Sequence, residues 1–83
     1  MSYGLVITEE VSAVVAQMDE VTHDLFVLAM LDLPVDPHGA GSLMKSEGAF
    51  TTRGLPLGAH GLIVYVVNET AATVTITSVV WLG

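Results

Sequence analysis

The sequence predicts an α+β fold of two layers, in which two N-terminal helices pack on one face of a mostly antiparallel four-stranded sheet. Two patterns near the C-terminus predict neighbouring strands: residues 61–68 are apolar on both faces, and residues 73–82 alternate with a period of two. Apolar residues at three- and four-residue spacings between residues 9 and 33 predict the helices. We expect residues 1–83 to form one domain with the order strand, helix, helix, loop and three strands.

The run at residues 61–68 is predicted to be a central strand, because apolar side chains on both of its faces need cover from both sides. Residues 68–72 join it to the last strand as a hairpin turn. One face of the last strand should be core and the other half solvated. The alternation places Val74, Ile76, Val80 and Leu82 on one face and Thr73, Thr75, Thr77, Val79 and Trp81 on the other.

The N-terminal half has clear start and stop signals. A first strand at residues 3–8 ends at Thr8, whose hydroxyl can cap a helix over residues 9–18. Asp19 is a suitable start for the second helix, and Pro34 ends that helix at Leu33. The predicted apolar stripes are Val11, Val14, Val15 and Met18 in the first helix and Val21, Leu25, Phe26, Leu28, Ala29, Met30 and Leu33 in the second. We expect Val11, Val14, Leu25 and Leu28 to be buried.

The middle of the chain gives weaker signals. Residues 34–42 are predicted to be a loop, and residues 43–45 a short turn of helix. Residues 49–55 are predicted to be a weaker strand, interrupted by Gly54. Pro56 indicates that this strand ends early or contains a bulge.

Charge and composition exclude several classes of function. Nine acidic residues against two basic ones give a net charge of −7, which argues against non-specific binding of nucleic acid. The absence of cysteine excludes thiolate metal sites, and no histidine or acidic spacing indicates another metal site or a cofactor. The N-terminus lacks a secretion signal, and no apolar run approaches the ~18 residues of a spanning helix. A cytoplasmic protein without a membrane contact is therefore expected.

The element order, the Asp36-Pro37 loop and the strand Gly-Leu-Ile-Val-Tyr-Val-Val before a final Val-Thr-Ile-Thr-Ser-Val-Val-Trp strand resemble the RelE/ParE superfamily of bacterial toxins. The resemblance covers nearly the whole chain. It implies a cytosolic toxin made with an antitoxin that wraps its sheet and helices. Members of this superfamily either cleave messenger RNA on the ribosome or poison DNA gyrase.

The resemblance also implies where a ribonuclease site would lie. Arg53 falls on the strand that supplies basic side chains in RelE-like nucleases. Leu62 stands where an arginine would precede the Val-Tyr pair, and residues 81–83 replace the basic residues at the end of the last strand. Cleavage of a phosphodiester needs a base, an acid and cations. The candidates are Arg53, His60, Lys45 and Tyr65, and each has an alternative structural role as an edge, turn or core residue.

Two functions from different classes remain open. The first is an enzyme, a metal-independent ribonuclease toxin that uses His60 and Arg53 to inhibit translation. The second is a protein-binding module that keeps the toxin fold after losing the nuclease cations. In both cases we expect an antitoxin partner, with a basic contacting segment that complements the acidic surface, or a homodimer. Ribosomes and messenger RNA would be partners only of the active enzyme.

Overall fold

The computed structural model describes residues 2–81, which form three helices and five strands. The α+β class and the mostly antiparallel sheet agree with the sequence prediction. In chain order the elements are β1 (Gly4–Ile7), α1 (Glu9–Val15), α2 (Glu20–Asp32), α3 (Pro37–Ala40), β2 (Ser42–Glu47), β3 (Phe50–Leu57), β4 (Gly61–Asn68) and β5 (Thr73–Trp81).

The sheet has the strand order β1-β5-β4-β3-β2. The strand β1 pairs in parallel with β5, and the other neighbours are antiparallel. As predicted, the first strand joins the sheet at a position remote in sequence, and β4 is central. The predicted helical turn at residues 43–45 is wrong, because these residues lie in β2 and pair with β3. The sheet therefore has a fifth strand in addition to the four predicted.

Both long helices cover one face of the sheet. Thr8 and Asp19 cap them as predicted, since the Thr8 hydroxyl accepts from the Val11 amide and the Asp19 carboxylate from the Thr22 amide. The Thr22 hydroxyl also donates to the Asp19 carboxylate, and this bond together with that from the Thr22 amide holds the pKa of Asp19 below its usual value. The core joins Val11, Phe26 and Leu33 of the helical layer to Leu57, Ile63, Tyr65, Val67, Val74, Ile76 and Val79 of the sheet.

The helix α1 ends at Val15, three residues before the predicted end at Met18. The amide of Gln17 bonds to the carbonyl of Val14, and that of Met18 to the carbonyl of Val15. These bonds span three residues rather than four, so the chain leaves the α-helix through a tighter turn.

The predicted burial of α2 is only partly right. Phe26 and Leu33 are buried, whereas Leu25 is 40% exposed and Leu28 is 58% exposed. The prediction is wrong for Leu25 and Leu28 because residues 25–31 of α2 are all apolar, and only one side of the helix can face the sheet.

A β-bulge in β5 changes which side chains face the core. Tyr65 lies opposite Ile76 and Val64 opposite Ser78, so Thr77 is an extra residue in β5. Val79 is consequently buried and Val80 is 56% exposed, the reverse of a strict alternation from Val74. The predicted facing of Leu82 lies outside the described residues.

The strand β3 passes through Gly54 and Pro56 to Leu57, beyond its predicted end at residue 55. The edge strand β2 reaches only as far as the position opposite Gly54. Pro56 therefore lies where β3 is itself an edge of the sheet, a position that tolerates proline.

Candidate functional site

Two of the four predicted site residues, Arg53 and Tyr65, lie opposite each other on β3 and β4. Both project to the helix-covered face, where Tyr65 is fully buried. The Tyr65 hydroxyl donates to the carbonyl of Pro37 at 2.6 Å, and burial raises the pKa of this phenol. The Arg53 guanidinium donates to the carbonyls of His38 at 2.6 Å and Gly41 at 2.7 Å. The two side chains thus hold the short helix α3 against the sheet.

This arrangement explains why the chain has glycine at position 41. A Cβ atom there would lie 2.5 Å from the Tyr65 hydroxyl and 2.7 Å from the Gly54 carbonyl oxygen. The backbone can therefore approach Tyr65 and accept from Arg53 only without a side chain at this position. An arginine used in this way supports the fold, and its charge faces backbone carbonyls.

The third predicted residue, Lys45, lies on the opposite face of the sheet. Lys45 is opposite Thr52, the neighbour of Arg53 in β3, and successive residues of a strand point to opposite faces. The Lys45 ammonium is 2.9 Å from a carboxylate oxygen of Glu47, and both side chains are more than two-thirds exposed. The Lys45 charge is therefore paired on the strand that carries it.

The fourth predicted residue, His60, is exposed in the turn between β3 and β4. It borders an open hollow together with Leu62 and Val80. Leu57, four residues after Arg53, pairs with Gly61 at this end of the sheet. The rise of a strand places this turn about 13 Å from Arg53. The structure therefore separates His60 from the other predicted residues.

The second face of the sheet points away from the helices. We call it the open face. Within residues 2–81, Lys45 is the one lysine or arginine on it, because Arg53 points to the helices. Glu47 and Asn68 lie at its margin, and its central side chains are apolar or hydroxyl-bearing. Such a surface suits a protein partner better than a phosphate backbone, which needs several cations. Its central side chains are Leu62, Val64, Val66 and Val80 with Thr52, Thr75 and Ser78.

A cluster of Tyr3, His38 and Glu69 was not found from the sequence. The Tyr3 hydroxyl donates to Glu69 Oε2 at 2.9 Å, and His38 Nε2 contacts Glu69 Oε1. The contact with His38, and then that with Tyr3, lowers the pKa of Glu69, while the Glu69 carboxylate raises the pKa of Tyr3. In the sequence, His38 is 31 positions and Tyr3 is 66 positions from Glu69, so no local pattern connects the three residues.

Other kinds of site find no support in the part of the chain that the structure describes. No group of three or more histidine or acidic residues between residues 2 and 81 could hold a metal ion. Over the same residues, every helix is too short or too polar to cross a membrane.

Comparison with solved structures identifies the fold, although no protein-family model and no curated protein match the chain. One match is a chain of the archaeal RelE–RelB complex from Pyrococcus horikoshii OT3. The alignment covers 98% of this chain and 96% of the matched chain, with a TM-score of 0.87 and 16% identity. For a chain of the toxin–antitoxin complex RelBE2 from Mycobacterium tuberculosis, the alignment covers 99% of this chain and 100% of the matched chain, with a TM-score of 0.81 and 18% identity. For the isolated E. coli RelE toxin, the alignment covers 99% of this chain and 86% of the toxin chain, with a TM-score of 0.75 and 14% identity.

Proposed function

We propose that this chain, which has the fold of the RelE toxins, is the toxin-fold member of a cytoplasmic toxin–antitoxin pair and acts by binding protein. The likeness extends over almost the full length of this chain and of the matched chain in each of two toxin–antitoxin complexes. A fold alone does not fix an activity, so the proposal rests on the chemistry of the surface.

The observation that carries the proposal is the distribution of positive charge. Cleavage of RNA without a metal needs cations that stabilise the developing negative charge, and a base and an acid within reach of the reacting atoms. Arg53 donates to carbonyls of the α3 segment, and Lys45 pairs with Glu47. Arg53 therefore points away from the open face, and the carboxylate of Glu47 offsets the charge of Lys45, the one lysine or arginine that lies on the open face within residues 2–81. Binding of a partner protein needs none of these groups.

The proposal is tested by co-expression with the product of the neighbouring open reading frame. We expect the two proteins to copurify in a stable complex of defined mass, measured by size-exclusion chromatography with light scattering. The control is the product of an unrelated antitoxin gene expressed in the same way. A chain that elutes alone in both cases would overturn the proposed pairing.

A second candidate function, a ribonuclease toxin, is favoured by the exposure of His60 next to the hollow on the open face. An imidazole is a common general acid or base in catalysis. For such an enzyme, His60→Ala should relieve growth arrest on induction, because loss of a positioned acid or base costs about 10²–10⁴-fold in rate. Arrest by the wild type that persists equally in His60→Ala and Arg53→Ala would exclude these two residues from the toxic activity.

A further inference from the structure

The strand β2 forms one edge of the sheet. Among residues 2–81 it pairs only with β3, and all six of its residues are exposed. Leu43 and Met44 on this strand are each 57% exposed. An edge strand carries unpaired amides and carbonyls, to which the strand of another chain can add. The outer side of β2 is therefore a candidate interaction surface.

The pairing of β3 with β4 shows which residues of β3 bond to β2. At the start of this pairing, the amide of Glu69 donates to the carbonyl of Ala49 at 2.9 Å. Along an antiparallel strand, the amides and carbonyls of successive residues point alternately to the two neighbouring strands. Because Ala49 points to the β4 side, Phe50 and Thr52 point to β2. These two residues therefore form hydrogen-bonded pairs with β2.

Ser46 consequently has its amide and carbonyl on the outer side of β2. Glu47 lies opposite Phe50 and Lys45 opposite Thr52, so both of these β2 residues bond to β3 through their backbone. Ser46 lies between them, and the alternation turns its backbone groups to the edge. A strand added to this edge would thus bond to β2 at Ser46.

Lys45 and Glu47 project from either side of Ser46 onto the open face. The Lys45 ammonium lies 2.9 Å from a Glu47 carboxylate oxygen. If β2 of a second copy lay antiparallel with the two Ser46 residues opposite each other, each Lys45 would face Glu47 of the other copy. These charges would alternate in sign around a square, so each would have an opposite charge beside it and another across the interface. The two Ser46 residues would exchange both of their backbone hydrogen bonds.

The same register places large side chains against small ones. Leu43 and Met44 of one copy would lie beside the turn at Gly48 and Ala49 of the other copy. A Cβ atom added at Gly48 would have no heavy atom within 4 Å, so this turn leaves open space next to it. The exposed apolar side chains of β2 would therefore lose contact with water on association.

Other antiparallel registers of the two strands are unfavourable. With Lys45 opposite Lys45, or Glu47 opposite Glu47, like charges would face each other across the interface. With Ser46 opposite Lys45 or Glu47, its backbone groups would face groups that already bond to β3. Charge and backbone direction therefore specify the same register, with Ser46 at its centre.

The strands next to the edge do not oppose the approach of a second copy. The whole chain has a net charge of −7, but β2, β3 and β4 together carry one acid, Glu47, with the cations Lys45 and Arg53. An edge lysine also disfavours any added strand that does not offer a carboxylate opposite it. A second copy offers that carboxylate, so it suits this edge better than an unrelated strand.

We propose that two copies of this chain associate through β2, which pairs antiparallel with β2 of the other copy around Ser46. The contact uses the same residues of both copies, as in other two-fold symmetric interfaces. It joins the two sheets into one continuous sheet with both open faces on the same side. This inference goes beyond the proposed function and does not depend on it.

The first test is sedimentation equilibrium of the full chain. Two edge strands bury less area than a standard interface of about 1,200–2,000 Å², so the association is weak and is measured up to about 1 mM protein. We expect the average mass to rise from that of a monomer to that of a dimer over this series. A chain that remains monomeric, or that forms larger assemblies without a dimer, would overturn the inference.

Reversal of the charges tests the register. Lys45→Glu and Glu47→Lys should each weaken dimerisation at least about tenfold, because like charges then face each other in both pairs. The double variant K45E/E47K should restore the wild-type affinity, and an equimolar mixture of the two single variants should form a heterodimer. Dimers of unchanged affinity in both single variants, or a double variant as weak as the single ones, would overturn the inference.

Substitution of Ser46 tests the backbone contact. Ser46→Pro removes the amide hydrogen that bonds to the other copy, and an edge strand tolerates proline where its amide points outward. This variant should dimerise at least about tenfold more weakly, because both interstrand bonds that use this amide are lost. The matched control, Ser46→Ala, keeps the amide and should dimerise normally. Circular dichroism should show both variants folded, and normal dimerisation of a folded Ser46→Pro would overturn the inference.

Discussion

Lys45 lies on β2 and Arg53 on its neighbour β3, yet their side chains point to opposite faces of the sheet. The register of β2 shifts between Leu43 and Lys45, and this irregularity decides which sheet face the Lys45 side chain lies on. No residue pattern in β2 predicts the shift. Arg53 could be placed on its strand from the sequence, but its partners are carbonyls of α3, a helix that was not predicted. The candidate residues were therefore identifiable by type, and their grouping was not.

The role of Arg53 in the fold predicts that Arg53→Met lowers the free energy of unfolding by about 2–3 kcal/mol, because two carbonyls lose a charged donor. Lys45→Met, which removes an exposed ion pair, should change it by less than about 1 kcal/mol. Urea unfolding followed by circular dichroism measures both. Equal stability of Arg53→Met and wild type would contradict the structural role.

The cluster at Glu69 predicts a dependence of stability on acid. The His38 contact lowers the folded-state pKa of Glu69, so its contribution is present above the ordinary glutamate pKa of about 4.5. This contribution is lost as the pH falls from that value through the lowered pKa. In Glu69→Gln, the urea midpoint should consequently fall less steeply below pH 4.5 than in wild type. Parallel pH curves for the two proteins would show that the cluster adds no such linkage.

At the scale of elements, strong local signals predicted α1, α2, β4 and β5, because capping residues and long apolar patterns act over a few neighbouring residues. The prediction of a loop over residues 34–42 is wrong at α3, where Asp36 accepts from the Gly39 amide and Pro37 occupies the first turn of a helix. The strand β2 had no strong local signal, and it forms only by pairing with β3. The bulge at Thr77 was equally hidden, because it depends on the register of β4 and β5.

The bulge predicts a sharp contrast between neighbouring valines. Val79→Ala should destabilise the protein by about 1–3 kcal/mol because it removes methyl groups from the core. Val80→Ala should change the stability by less than about 0.5 kcal/mol, since Val80 is largely exposed. Thermal unfolding of the two variants compares them directly. The reverse order of stabilities would indicate a regular β5 without the bulge.

At the scale of the whole molecule, the sequence predicted the two-layer architecture, the central strand and the remote pairing of the first strand, but it missed the fifth strand. It did not predict which apolar surfaces stay uncovered. The exposure of an apolar side chain on α2 depends on how much of the helix the sheet can cover. Residues 25–31 are apolar around the whole helix, so some of them remain exposed. Within residues 2–81, the near absence of lysine and arginine on the open face supports our proposal that this chain acts by binding protein.

The most direct test of this account is a cleavage assay with purified protein, programmed ribosomes and end-labelled messenger RNA. The account predicts no cleavage beyond that of ribosomes alone, because Arg53 is held by carbonyls of the α3 segment and Lys45 is the one lysine or arginine on the open face within residues 2–81. The parallel reaction contains His60→Ala at the same concentration. Cuts made by the wild type and lost in His60→Ala would contradict the account and identify the chain as a ribonuclease.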